Sequence, residues 1–315
     1  MNAAFLFPGQ GAQRPGMLHD LPAHPAVRDT LQETSEALGF DVLALDSEPA
    51  LRSAAAVQLS LLAAGVAAAR ALIAEGAEPV AVTGLSVGAF AAAVVTGVLG
   101  YVDCLRLVHH RALLMERSFS DGYGMAAIVG LDEGQVAAIV ARIHSPACPA
   151  FVSNINAPRQ IVIAGACAAM DRVLEEALRQ GARKAERLPV PVLSHCPLLQ
   201  PVAEELKEMV RPMRIARPSI PCIGNVRARA LRTGEAVVKD LVTNVAHGVR
   251  WHDSVSVLTE LGCDLFIEMS PGRVLSSLAT ESFPAVRALA MEDYPLHYLR
   301  ALAARTGRER PRDLP

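Results

Sequence analysis

From its first residues the chain alternates short apolar runs with longer stretches of helical periodicity. Residues 3–7 (AAFLF) predict a buried strand closed by the turn Pro8-Gly9-Gln10-Gly11. Residues 57–73 are alanine-rich and apolar on nearly every side, the pattern of a helix buried on most faces. Residues 79–83 predict a second strand and 87–98 a second buried helix. A further helix is expected from Asp103, acting as N-cap, to about Phe119, with Leu105, Val108, Ala112 and Met115 toward one side. Alternation of this kind predicts a parallel sheet covered by helices.

The middle of the chain follows a different order. Residues 124–130 predict a strand, and Asp132 caps a helix whose Val136, Ile139, Val140 and Ile143 repeat at i, i+3, i+4, i+7. Strands at 150–155 and 160–164 flank the turn residues Asn156, Ala157 and Pro158. The next helix places Met170, Val173, Leu174, Ala177 and Leu178 on one face and stops at Gly181. A strand over 184–190 completes the order β-α-β-β-α-β, that of a ferredoxin-like split unit. The expectation is a small domain, 123–190, inserted into a discontinuous large α/β domain made of 1–122 and 191–315. In the second part of that domain, helices are predicted at 201–211, 237–244 and 254–261, and strands at 219–226 and 265–269. Residues 305–315, charged and proline-rich, are expected to fray.

Composition narrows the function. Of 315 residues 51% are hydrophobic and 20% charged, enough for a sizeable core and incompatible with a disordered chain. Thirty basic residues face thirty-two acidic ones without a block of either sign, so no nucleic-acid or anionic-membrane partner is expected. The six cysteines are nowhere closer than nineteen residues, so no metal-ligand spacing exists and reduced thiols in a cytoplasmic protein are expected. The apolar start lacks a basic segment and breaks at Pro8, unlike a signal peptide. Residues 80–102 carry no charge and exceed the ~18 residues of a membrane span. Their internal glycines predict a buried strand, turn and helix instead of a span.

Two segments could carry chemistry. Gly84-Leu85-Ser86-Val87-Gly88 is a G-x-S-x-G between a predicted strand and helix, the context a nucleophile elbow requires. Glycines let the chain turn sharply and lift the serine to a helix N-terminus, where the next N–H can stabilise an oxyanion. The plainer reading is a glycine-rich strand–helix turn with an incidental serine. At the N-terminus, Phe7-Pro8-Gly9-Gln10-Gly11-Ala12-Gln13 follows a strand and could either present backbone N–H groups or simply turn.

With these two segments, the run Leu188-Pro189-Val190-Pro191-Val192-Leu193-Ser194-His195-Cys196 and four others in order, the sequence resembles the malonyl-CoA:acyl-carrier-protein transacylases. The others are Asn154-Ile155-Asn156-Ala157-Pro158, Asn225-Val226, Val249-Arg250-Trp251 and Glu268-Met269-Ser270-Pro271-Gly272. The resemblance implies an α/β-hydrolase-like large domain with a parallel sheet and an inserted ferredoxin-like small one. It makes Ser86 the acyl-accepting nucleophile and His195 its general base, oriented by a backbone carbonyl at Asn244. It implies an oxyanion hole from the N–H groups of Gln10 and Val87, Arg111 as the partner of the malonyl carboxylate, and Gln58 near the pocket. No bound cofactor and no metal are implied; the CoA thioester is the substrate, and the partners are malonyl-CoA and an acyl carrier protein or carrier subunit. The chemistry suits these residues, since histidine titrates where a serine needs a base and guanidinium meets both oxygens of a carboxylate.

Leu85 stands where the family usually has histidine. The GLSVGAF variant resembles the branch serving as the epsilon subunit of malonate decarboxylase, whose acceptor is the phosphoribosyl-dephospho-CoA thiol of a carrier subunit. That is the leading expectation. Its alternatives are the same transfer in fatty-acid or polyketide synthesis, a serine thioesterase with Asp171 or Glu175 as its acid, and a non-enzymatic assembly subunit.

Overall fold

The computed structural model describes residues 1–118, 122–190 and 192–304. In chain order the elements are β1 (Ala3–Phe7), α1 (Pro25–Leu38), α2 (Ala54–Ala74), β2 (Ala81–Gly84), α3 (Gly88–Val95) and α4 (Tyr101–Ser118). There follow β3 (Tyr123–Val129), α5 (Glu133–Ile143), β4 (Ala150–Ala157), β5 (Gln160–Ala166), α6 (Cys167–Arg179) and β6 (Lys184–Arg187). The rest comprises α7 (Gln200–Val210), β7 (Cys222–Ile223), β8 (Ala230–Leu231), α8 (Gly234–Thr243), α9 (Trp251–Glu260), β9 (Leu265–Glu268), α10 (Val274–Ser282), β10 (Arg287–Ala290) and α11 (Leu296–Ala303).

The described residues form two separate sheets. The larger runs β10-β9-β1-β2-β7-β8, parallel except for β8, which returns antiparallel along β7. The smaller runs β4-β5-β3-β6, all antiparallel, with α5 and α6 packed against it over their own apolar core. Every residue of β1 is buried, as a central parallel strand covered on both faces must be. Register then sets the site: Phe7 pairs with Gly84 and Thr83 with Ile223. The loops after β1, β2 and β7 therefore emerge side by side at the carboxyl edge of the sheet, the usual ligand-binding edge of such folds.

Helix α2 is buried along nearly its whole length and packs against α1, α3 and α4. It is the one helix among the described residues long and apolar enough to cross a membrane, and its burial explains that composition. Residues 80–102 divide into β2, a turn, α3 and, after a second turn, the first residues of α4, so their glycines do break the apolar run.

Several expectations are corrected. Helix α4 starts at Tyr101, so Asp103 lies in its first turn and favours the helix dipole instead of capping it. Leu178 is exposed, off the buried face formed by Ala169, Met170, Val173, Leu174 and Ala177. The strand expected over 219–226 is only β7, because Gly224 N–H turns to Arg229 O and Asn225 beyond it bonds to the serine turn. Helix α1 was not anticipated: threonines carry its buried face, with Thr30 and Thr34 returning their hydroxyls to Ala26 O and Thr30 O. Elements α10, β10 and α11 were also not anticipated. The helix end at Phe119, the boundary at Pro191 and the tail over 305–315 lie outside the described residues.

Candidate active site

Ser86 occupies the turn between β2 and α3 with φ of 55°, in the left-handed region that side chains rarely adopt. The flanking glycines make that turn possible by close approach. A Cβ on Gly84 would lie 2.2 Å from the Gly88 carbonyl carbon and oxygen, and one on Gly88 would lie 2.2 Å from Phe7 O. Gly9 is also too close for a side chain, since its Cβ would stand 2.6 Å from Leu85 O. The loop after β1 is thereby pressed onto the serine turn. Leu85 itself is buried in the apolar cluster with Leu6, Ile223 and Trp251.

His195 lies in the connection after β6 and is also left-handed, with φ of 58°. Its N–H donates to Val245 O at 2.7 Å, which seats the residue on the segment leading from α8 to α9. Nδ1 sits 2.6 Å from the Asn244 main-chain oxygen, so Nδ1–H donates there and Nε2 is left as acceptor. Nε2 lies 2.7 Å from Ser86 Oγ. Burial, and then the Arg111 charge, push the imidazole down to about 4, with the Asn244 carbonyl opposing. The ring is therefore neutral, and a competent base, at neutral pH.

Arg111 extends from α4 and is fully buried. Its guanidinium donates to Gln58 Oε1 at 2.6 Å and to Ser86 Oγ at 3.1 Å, while Nε has no acceptor among the described residues. No carboxylate among the described residues pairs with it. Desolvation pushes it down to about 10, yet it remains charged at neutral pH. Gln58, from α2, passes the polarity on: its oxygen accepts from Arg111 and its Nε2 donates to Gln10 Oε1 at 3.1 Å. Because arginine can only donate, both glutamine orientations follow. The backbone N–H groups of Gln10 and Val87 have no acceptor among the described residues.

All seven residues singled out from the sequence thus meet around Ser86. Asp171 and Glu175 do not: Asp171 pairs with Arg187 at 2.7 Å on the exposed face of α6, and the histidine position an acid would take is held by Asn244 O. One cluster escaped the sequence reading. Asn225 accepts from Ser86 N–H and donates to Gly84 O, both at 2.8 Å, and Asp240 accepts from the N–H groups of Asn225 and Val226. Asn225 was marked only as part of a motif. The signal available for Arg111 was its place on the apolar stripe of Cys104, Val108, Ala112 and Met115, where an arginine needs a reason.

A largely apolar cavity of about 620 Å³ opens beside His195, lined among others by Ala137, Val140, Phe151, Val152, Pro197 and Ala246. It lies between the smaller sheet's elements and the histidine segment. Val249 ties these parts together, exchanging backbone hydrogen bonds with Ser153 and Ile155 of β4.

A serine on a parallel-strand elbow, a neutral histidine in contact with it and unused backbone donors beside it define the class: an enzyme equipped for nucleophilic acyl transfer. Residues 4–293 match the acyl transferase domain, and the chain belongs to that family. It is 36% identical over 301 residues to the malonyl CoA-acyl carrier protein transacylase of Escherichia coli, covering 92% of this chain and 96% of that one. It superposes on the malonyl CoA-acyl carrier protein transacylase of Coxiella burnetii with a TM-score of 0.91 at 32% identity, over 96% and 97% of the two chains. A malonyl-transacylase solved in complex with its type II polyketide-synthase acyl-carrier protein superposes with a TM-score of 0.90 at 33% identity, over 95% and 99%.

Proposed function

We propose that this acyltransferase moves a malonyl group from malonyl-CoA to the prosthetic-group thiol of an acyl carrier protein of fatty-acid or polyketide synthesis, by way of an ester on Ser86. The observation that carries the reading is Arg111, a buried guanidinium touching Ser86 Oγ with no carboxylate partner among the described residues. A buried, permanent cation needs an anion, and an acyl group ending in a carboxylate supplies one within reach of the nucleophile.

In the first half-reaction Ser86 Oγ gives its proton to His195 Nε2 as it attacks the thioester carbonyl. The oxyanion is held by the N–H groups of Gln10 and Val87. Collapse expels the CoA sulfur, which takes the proton back from His195, and leaves the malonyl ester. In the second half the carrier thiol attacks the ester, His195 taking its proton and returning it to Ser86 Oγ. The reading needs no resident cofactor. The apolar cavity beside His195 suits the uncharged arm on which either thiol is carried. In this reading residues 1–122 and 191–315 form the α/β-hydrolase-like large domain and 123–190 the ferredoxin-like small one, supported by their separate sheets and cores.

A decarboxylase carrier as acceptor rested on the GLSVGAF segment. Its Leu85 packs into the core among Leu6, Ile223 and Trp251, and the relatives favour the biosynthetic carriers. The test is acceptor choice: labelled malonyl-CoA with holo carriers of both kinds. Label on the phosphopantetheine carrier supports the reading; label confined to the decarboxylase-type carrier overturns it.

A further inference from the structure

Ser86 is held in a costly backbone conformation, and one side chain holds it. Asn225, 1% exposed, uses every polar group it has. Its Oδ1 accepts from Ser86 N–H and its Nδ2 donates to Gly84 O, each at 2.8 Å, spanning both sides of the turn. Its own N–H donates to Asp240 at 2.8 Å, and its carbonyl accepts from Arg250 N–H at 2.9 Å. Arg250 is the N-cap of α9 and follows the segment whose Asn244 and Val245 carbonyls hold His195. Asn225 therefore joins the nucleophile's turn to the base's support.

We infer that Asn225, anchored by Asp240, is the positioning residue that fixes Ser86 Oγ against His195 Nε2. It also engages the Ser86 N–H, which leaves oxyanion contacts to Val87 and Gln10. A non-glycine residue at positive φ costs about 1–3 kcal/mol unless its surroundings impose it. Without the clamp the turn can relax and carry Oγ away from the base, and a displacement of about 1 Å typically costs on the order of a hundredfold in rate.

The inference rests on Ser86 being acylated, so wild-type ester formation is measured first; its absence would refute the proposed function itself. In Asn225→Ala the burst rate of ester formation should fall roughly tenfold to a hundredfold, with KM for malonyl-CoA little changed and one ester per chain still reached. Asn225→Asp gives a sharper readout. Protonated, the new carboxyl has one donor and one acceptor and can replace the amide; ionised, it cannot donate to Gly84 O. The ionisable groups around it are Asp240, His247 beside Asp240, His195 and Arg111 at Ser86, and Arg250, whose guanidinium is paired with Glu133 and Asp253. The Asp variant's burst rate, divided by wild type's at the same pH, should therefore rise as pH falls from 8 toward 5 (on the order of a few pH units). A pH-independent ratio, a rise in KM with unchanged burst rate, or lower burst amplitude with the remaining molecules reacting at the wild-type rate would each overturn the inference.

Discussion

Ser86 Oγ and His195 Nε2 stand 2.7 Å apart although 109 residues separate them in the chain. Both residues have positive φ, and each is held by hydrogen bonds to main chain or to a fully satisfied side chain. The pair is preorganised. Ser86→Ala should abolish the malonyl adduct on the peptide around Gly84 and Gly88 and lower transfer by several orders of magnitude. Peptide mass spectrometry after incubation with malonyl-CoA checks this, and an adduct on a cysteine would contradict it.

The histidine's environment sets a pH dependence with a definite sign. Burial and the Arg111 charge lower its pKa to about 4, so the base form persists well below neutrality. The acid limb of ester formation should lie near that value, below the ordinary histidine range. Arg111→Ala removes one of the two lowering causes and should move the limb upward. The same shift affects stability. Between the unfolded value near 6.5 and about 4, the unfolded chain binds a proton that the native chain does not. Native stability should thus fall as pH drops through that window, and His195→Ala should flatten the slope in denaturant titrations.

Asn244 contributes its carbonyl, whereas its buried side-chain amide has no hydrogen-bond partner among the described residues. Asn244→Ala leaves the carbonyl in place and removes a polar group that makes no bond, so stability should hold and transfer should fall at most a few-fold. Steady-state rates alongside His195→Ala test this. A loss comparable to that of His195→Ala would show that the amide acts in the reaction.

Gly88 marks where α3 crosses the end of β1. An alanine there would set its Cβ 2.2 Å from Phe7 O, and backbone cannot rotate away as a side chain can. Gly88→Ala should cost about 1–3 kcal/mol or more in stability, and it should slow ester formation because the elbow must shift. Thermal unfolding and burst rates measured together would show both losses; a stable, fully active variant would contradict the packing described.

Local signals in the sequence carried a good part of this. The strand–turn–helix around Ser86 was readable because close packing there admits only glycine. Asp132 as a helix cap and the all-apolar α2 were readable because capping and near-complete burial leave their mark within the element's own residues. Resemblance to a family, and no pattern in the residues alone, separated His195 from eight other histidines. The same resemblance singled out Arg111, whose burial among the apolar residues of α4 the structure adds. The Asn225 clamp is hidden for a different reason: its bonds reach 139 and 141 residues along the chain and depend on β7 lying beside β2. Helix α1 went unseen because threonines, whose hydroxyls bond back to their own helix, fill positions where periodicity looks for apolar residues.

Arg111, in the proposed reaction, selects an acyl group bearing a carboxylate, which kcat/KM for malonyl-CoA and acetyl-CoA across wild type, Arg111→Ala and Arg111→Lys will show or refute. Removing one partner of a buried charge pair costs about 2–5 kcal/mol, roughly a thirtyfold to several-thousandfold loss at 1.4 kcal/mol per decade. Malonyl transfer by Arg111→Ala should fall by about that factor while acetyl transfer stays level or rises. Arg111→Lys should recover only part of the loss, because an ammonium cannot make the parallel two-point contact. Equal losses on both substrates would contradict the account and leave Arg111 as a structural support for Gln58 and Ser86.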